Sequence, residues 1–128
     1  MRRKAIRAHR LVRPDFFCVN RLSELAGRDV VFELKALPYG RVQDIKRLQE
    51  DSQIHILLAG CVSPDLKDSR LAKKYCARTA EGKAAPELTT PADVVKNMLL
   101  AGEIQDLANE VERLTGYRSM TISEVKND

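Results

Sequence analysis

The two residues best suited to nucleophilic chemistry in this chain are Cys61 and His55. A cysteine nucleophile needs a base within hydrogen-bond reach, and histidine commonly serves as that base. Six residues apart on one helix, the two side chains would be rotated by about 240° and separated by roughly 9 Å along the axis. They could not form a hydrogen bond in that arrangement, so the sequence predicts no catalytic cysteine.

The cysteines and histidines of the chain have no spacing that is typical of a metal site. They are Cys18, Cys61, Cys76, His9 and His55, and zinc ligands usually occur in closely spaced pairs. The six glycines are isolated, so none forms a dinucleotide or Walker phosphate loop. An odd number of cysteines without a secretory signal is typical of reduced thiols in the cytoplasm. The sequence therefore predicts no metal and no cofactor.

Paired carboxylates, which are common groups in general acid–base catalysis, occur at three places. The pairs are Glu50 with Asp51, Asp65 with Asp68, and Glu110 with Glu112. On helices such pairs more often form a solvated face, and this is the interpretation that we favour. Because no catalytic residue is assigned, the sequence predicts a protein that is not an enzyme.

The basic character of the chain is concentrated in its first thirteen residues. This arm carries six cations and no acid, and the whole chain has a net charge of +4, so the remainder sums to 4 − 6 = −2. The cations are Arg2, Arg3, Lys4, Arg7, Arg10 and Arg13. Such a segment can contact a nucleic-acid backbone by releasing counterions, although it lacks aromatic residues for base stacking. The other interpretation is a solubilising terminus.

Length and composition indicate what kind of fold must position these groups. The 128 residues suit one domain, and aromatic residues are only 5%, so we expect an aliphatic core. No apolar run reaches the ~20 residues that a membrane helix needs. The basic start is not followed by the apolar stretch of a signal peptide. We therefore expect a cytoplasmic protein without a membrane partner.

The N-terminal half has alternating strand and helix signals. Apolar runs at Phe16–Val19 and Val30–Leu37 favour two strands. Between them, Leu22–Asp29 is expected to form a turn or a short helical connection. Pro38 suits the first turn of a helix, and a wide apolar face predicts a second, central helix from Ser52 through Cys61.

The C-terminal half has clearer start and stop signals. Asp68 suits the cap of a short helix, whereas residues 77–90 are polar and predict a loop. Thr90 is expected to cap the next helix. The last helix is expected to begin at Glu103 and to stop at Gly116. It carries an apolar stripe of Ile104, Leu107, Ala108, Val111 and Leu114.

Together these signals predict a mainly α fold, a small helical domain with a short N-terminal β-hairpin or two-stranded element. Residues 1–14 are expected to form a basic flexible arm, residues 15–117 a single mainly helical domain, and residues 118–128 a polar C-terminal tail. Since these elements carry no catalytic constellation, binding is the function class that the residues favour.

Five blocks in the second part of the chain occur in the order and spacing of a known family. They are LLAGCV at 57–62, PDLKD at 64–68, MLLAGEI at 98–104, LTGY at 114–117 and ISEVKN at 122–127. With them, the stretch from Ile54 to Asn127 resembles the XkdN-like phage tail assembly chaperones. Two features depart from the family pattern, the Arg-rich start and a longer loop at residues 78–88.

The resemblance implies a non-catalytic protein of the host bacterial cytoplasm, encoded with phage or prophage tail genes and absent from the finished virion. Its implied partner is the tape measure protein, a long helical protein that such chaperones keep soluble until tail tube protein polymerises around it. Tail tube protein is therefore a second candidate partner. Whether the chaperone also forms a homo-oligomer stays open.

Within this resemblance, we expect the client to bind around the block at 98–104, where a Gly-Glu pair interrupts a helix. The expected partner-binding residues are Leu99, Leu100, Gly102, Glu103, Ile104 and Leu107, whose aliphatic members would present apolar area. An ordinary core stripe is the other interpretation of these aliphatic residues. The alternative function is a small nucleic-acid-binding or regulatory protein that acts through the basic arm.

Overall fold

A computed structural model describes residues 15–117 and 122–125 of the chain. Its helices are α1 (Asn20–Ala26), α2 (Tyr39–Lys46), α3 (Ser52–Gly60), α4 (Ser69–Lys74), α5 (Pro91–Met98) and α6 (Ala101–Thr115). Its strands are β1 (Phe16–Cys18), β2 (Val31–Leu34), β3 (Cys61–Ser63), β4 (Ala77–Arg78) and β5 (Ala84–Ala85), and a 3-10 turn (Pro86–Leu88) follows β5. Helices dominate these residues, as the sequence predicts. The arm at residues 1–14 and most of the predicted tail lie outside the described residues.

A three-stranded antiparallel sheet takes the place of the predicted two-stranded element. β1 and β2 pair as expected, and β3 adds to the other side of β2 with Cys61 opposite Leu34. The prediction misses β3 because Cys61 continues the apolar spacing of α3. The helix ends instead at Gly60, whose carbonyl accepts a 2.8 Å hydrogen bond from the N–H of Lys35. That bond ties the end of α3 to the sheet, and Cys61 continues in an extended conformation.

The segment at residues 77–90 is more ordered than the loop that its composition predicts. β4 and β5 pair across it as a short hairpin. The hydroxyl of Thr89 accepts a 2.8 Å hydrogen bond from the N–H of Ala77 and donates a 2.9 Å bond to the carbonyl of Ala85. One side chain therefore fastens the hairpin to the segment that leads into α5, and polar composition alone does not reveal this contact.

Helix α3 lies at the centre of the fold and packs against α2, α5 and α6. Its Leu57 is fully buried, together with Phe32 of β2 and Val111 of α6. The closest approach is at Gly60, where a Cβ atom would lie only 2.6 Å from Cγ1 of Val111. A side chain at this position would push α6 away from α3, so Gly60 is required for the packing that positions α6.

The predicted caps of the C-terminal half are present. Asp68 accepts a hydrogen bond from the N–H of Arg70 at the start of α4. At the start of α5, the Thr90 hydroxyl accepts a 3.2 Å bond from the N–H of Asp93, whose carboxylate accepts a 3.0 Å bond from the N–H of Thr90. Gly116, with a left-handed φ of 109°, ends α6. Local residue chemistry therefore sets these three helix boundaries.

Candidate partner interface at the α5–α6 junction

The α5–α6 junction, residues 98–107, contains the block where the sequence predicts partner binding. The two helices are separated by Leu99 and Leu100, whose backbone is extended, with φ/ψ of −113°/150° and −77°/156°. The helix break therefore lies at these two leucines. The prediction that Gly102 interrupts the helix and that Glu103 begins the next one is wrong, because both residues lie within the first turn of α6.

The carboxylate of Glu103 and the guanidinium of Arg21 hold the junction together. Glu103 Oε1 accepts hydrogen bonds from the N–H of Leu100 at 2.8 Å and from Nη2 of Arg21 at 2.9 Å. Nε of Arg21 donates to Oε2 at 3.0 Å, and Nη2 also donates to the carbonyl of Met98 at 2.9 Å. Since Arg21 belongs to α1, one side chain links α1, the end of α5 and the start of α6.

This pairing stabilises the charged form of Glu103. The hydrogen bond from Arg21 holds the pKa of the Glu103 carboxyl below its ordinary value, and the N–H of Leu100 acts in the same direction, while partial burial opposes both. The side chains of Glu103 and Arg21 are 18% and 35% exposed, so solvent screens this pair less than a fully exposed one. Glu103 is therefore an anion at neutral pH that fixes the backbone, not a proton donor.

The aliphatic residues at the junction fall into two groups. Leu99, Ile104 and Leu107 are 4%, 8% and 5% exposed and belong to the core, whereas Leu100 is 57% exposed. The expectation that all four present apolar area is therefore corrected. Ile104 and Leu107 lie on the face of α6 that also carries Val111 and packs against α3. Partner binding by this block stays a prediction. Of its four aliphatic residues, Leu100 is the one that a partner could contact at the surface.

Two grooves flank the first turns of α6. The β1–α6 groove, of about 560 Å³, lies between residues 17–21 and the face of α6 that carries Asp106 and Asn109. The α3–α6 groove, of about 510 Å³, lies between residues 51–54 and the start of α6. Leu100 lines neither groove. The junction thus offers one exposed leucine and two adjacent concave surfaces.

The candidate nucleophile is poorly suited to covalent chemistry. Cys61 begins β3 and does not lie on the helix of His55, contrary to the arrangement that the sequence predicts. Burial raises the pKa of the Cys61 thiol to about 12, and the thiol donates a 3.4 Å hydrogen bond to the carbonyl of Pro64. A thiol with that pKa is protonated at neutral pH, unlike the thiolate of an activated nucleophile.

The described residues were also searched for metal sites and membrane-spanning helices, whereas the basic arm lies outside them. Residues 15–117 and 122–125 contain no group of three or more His, Cys, Asp or Glu side chains arranged to hold a metal ion. In the same part of the chain, no helix is both long enough and apolar enough to cross a bilayer. The six cations of the arm, which are the candidate nucleic-acid contacts, lie outside the described residues.

Arg21 is the residue of this region that the sequence analysis missed. It lies 82 positions from Glu103, in a seven-residue helix without a buried residue. No local spacing connects the two residues, so their pairing becomes visible only in the fold. Co-variation of the two positions among relatives is the sequence signal that could find such a pair.

Comparison with models of known protein families gives a match that includes the junction. The family model of the phage XkdN-like tail assembly chaperone proteins matches residues 46–127, which is more than half of the chain. The matched region contains α3, β3, α5 and α6, whereas Arg21 precedes it. A search of curated proteins and a search of solved structures each gave no match.

Proposed function

The chain belongs to the family of phage XkdN-like tail assembly chaperones, and from that premise we propose that it binds the tape measure protein and keeps it soluble during tail assembly. Family membership supports the class of function, and the identity of the client is our proposal. We place this action in the cytoplasm of the host bacterium, with no catalytic step and with release before the virion is complete. Tail tube protein, which takes over the client as the tube forms, is the second partner that we propose.

The observation that carries the proposal is the leucine at the N-cap of α6. Ser, Thr, Asp and Asn are favoured at this position because their side-chain oxygens accept a hydrogen bond from the first turn. Leu100 supplies no acceptor and is 57% exposed. Relative to a capping residue, it costs about 0.5–2 kcal/mol of stability. Contact with a partner accounts for an exposed leucine that is unfavourable for folding.

The polar contacts around Leu100 present it in a fixed position. Its N–H is held by Glu103, which is held in turn by Arg21. Gly102, in the first turn of α6, is exposed, and a Cβ atom there would meet no other atom within 4 Å. A client helix can therefore approach the start of α6 closely. A preorganised contact loses less conformational entropy on binding than a mobile one.

A single leucine gives a weak contact, which suits a chaperone that must release its client. Burial of one leucine side chain contributes on the order of 1–2 kcal/mol. Several chaperone copies on one long helical client gain affinity through valency, and polymerising tube protein can displace them one at a time. Homo-oligomerisation along the client would add to this valency.

Co-expression of the chain with tape measure protein tests the proposal. We expect Leu100→Ser to move the tape measure protein into the insoluble fraction while the variant itself stays folded. The reason is that the substitution removes the apolar contact and adds a capping oxygen.

Leu88→Ser is the matched control, because Leu88 is 67% exposed and lies outside the junction. The tape measure protein should stay soluble when it is co-expressed with this variant. A soluble client with Leu100→Ser, or equal loss of solubility with both variants, would contradict the proposal.

A further inference from the structure

The α6 wall of the β1–α6 groove carries negative charge that the described residues do not fully neutralise. Glu103 is paired with Arg21, and Glu110 forms an exposed ion pair with Arg113, which does not line the groove. Asp106, one turn further along the same wall from Glu103, forms no ion pair within residues 15–117 and 122–125. The groove is therefore electrostatically suited to a cation beside Asp106.

The base of the groove is apolar. Val19 and Leu107 are 6% and 5% exposed, and the half-buried Phe17 lies beside them. An occupant that fits the whole groove therefore combines guanidinium or ammonium groups with aliphatic side chains. An acidic or purely polar segment would fit neither the wall nor the base.

The chain's own N-terminal arm has this composition. Residues 1–13 hold six cations and no acid, with Ile6, Leu11 and Val12 among them. They connect to the described domain at a turn containing Asp15, which directly precedes β1. Because β1 is at the edge of its sheet, a segment that reverses direction at this turn can run back along the strand toward the groove.

The distances allow this path. Arg13 is four residues from Phe17 at the base of the groove, so their Cα atoms are at most about 14 Å apart. The α6 wall from Glu103 to Glu110 is roughly 10 Å long, whereas thirteen extended residues reach about 45 Å. The arm is therefore long enough to enter the groove from β1 and to pass along the acidic wall.

We propose that residues 1–13 dock in the β1–α6 groove of their own chain, with arginines of the arm donating to the carboxylate of Asp106. The interaction is electrostatic at the wall and hydrophobic at the base. Leu100 is not part of the groove and stays free for a client. The inference thus goes beyond the proposed function and does not depend on it.

Backbone amide chemical shifts of the full chain test the docking. We expect the combined substitutions Arg7→Ser, Arg10→Ser and Arg13→Ser to shift the amides of residues 106–110, which are far from the arm in sequence. Raising the salt concentration of the unsubstituted chain to about 1 M should move these amides toward the values of the variant, because the Debye length falls to about 3 Å. Unchanged shifts at residues 106–110 would overturn the proposal, most clearly if the arm instead showed salt-sensitive binding to duplex DNA.

A variant with the same change in charge elsewhere separates docking from a general electrostatic effect. Arg28→Ser, Lys67→Ser and Lys83→Ser together remove three exposed cations from the described surface. This triple variant should leave the amides of residues 106–110 in place. Equal shifts from both triple variants would overturn the proposal.

Limited trypsin digestion of the full chain tests the docking through a substitution in the groove. Asp106→Ser should speed cleavage after Arg7 and Arg10 several-fold, because an undocked segment is cleaved more readily than a docked one. An unchanged cleavage rate would overturn the docking. The amide shifts should also be independent of protein concentration, since a concentration dependence would place the arm of a second copy in the groove and contradict docking within one chain.

Discussion

The last two helices of the chain begin in opposite ways. α5 begins at Thr90, whose hydroxyl and the carboxylate of Asp93 satisfy backbone groups within four consecutive residues. α6 begins at Leu100, which has no side-chain acceptor, and its first turn depends on Glu103 and on Arg21 from a distant helix. The start of α5 is therefore stabilised by neighbouring polar residues, whereas the start of α6 is stabilised by a long-range contact and exposes a leucine. Under the proposed function, α5 starts where local folding favours it, whereas the start of α6 serves partner binding.

The largest expected effect on stability comes from the buried face at the start of α6. Ile104→Ala should lower the free energy of unfolding by about 2–5 kcal/mol, because it leaves a cavity beneath the first turn of α6. Leu100→Ala should cost less than about 0.5 kcal/mol, as is usual for an exposed side chain. Urea denaturation measures both. A loss below about 1 kcal/mol for Ile104→Ala would contradict its place in the core and return it to the candidate binding surface.

Substitution of the two N-cap residues should change the stability of the chain by a smaller amount, and in opposite directions for α5 and α6. Thr90→Ala should destabilise the chain by about 1 kcal/mol because α5 loses its cap. Leu100→Ser should stabilise it by about 0.5 kcal/mol, since a serine three residues before Glu103 completes a capping box. Thermal unfolding of the two variants measures the difference. A destabilised Leu100→Ser variant would show that Leu100 serves the fold, which would weaken the comparison.

The smallest expected effect is the response of the α6 start to pH. Because the folded-state pKa of Glu103 is lowered, its stabilising contribution is complete above the ordinary glutamate pKa of 4.5 and is lost as the pH falls through the lower folded value. Denaturation at a series of pH values should therefore show a shallower acid-side slope for Glu103→Gln than for the unsubstituted chain. Part of the slope should persist, because hydrogen bonds from Arg70 also lower the pKa of Asp68.

Removing the cationic partner should give the same flattening. Arg21→Met leaves the carboxyl of Glu103 in place but takes away the main cause of its lowered pKa. An unchanged acid-side slope in this variant would mean that the pair does not hold the junction in solution.

The contrast between the two helix starts also explains what the sequence could predict. The caps at Thr90 and Asp68 and the stop at Gly116 are readable because each depends on residues within a few positions. The Arg21–Glu103 pair is not readable, since the two residues are 82 positions apart. The sequence does not predict strand β3 for a related reason. The end of α3 is set by a hydrogen bond between the backbone groups of Gly60 and Lys35, which are also distant in sequence.

The candidate interface was predicted in part. Residue types around the junction correctly predict an apolar helix stripe, but the side of α6 that faces solvent depends on where the helix begins. A start at Ala101 places Ile104 and Leu107 against α3 and leaves Leu100 outside. Sequence resemblance selected the block, whose role in partner binding stays a prediction, and only packing separates its exposed leucine from its buried ones.

The central claim, that Leu100 is exposed for a partner rather than for the fold, is tested most directly by calorimetric titration with a soluble segment of the tape measure protein. The unsubstituted chain should bind the segment, and Leu100→Ser should bind it at least about tenfold more weakly, a loss of about 1.4 kcal/mol, while unfolding at no lower temperature. Equal affinity in a folded Leu100→Ser variant would contradict the claim.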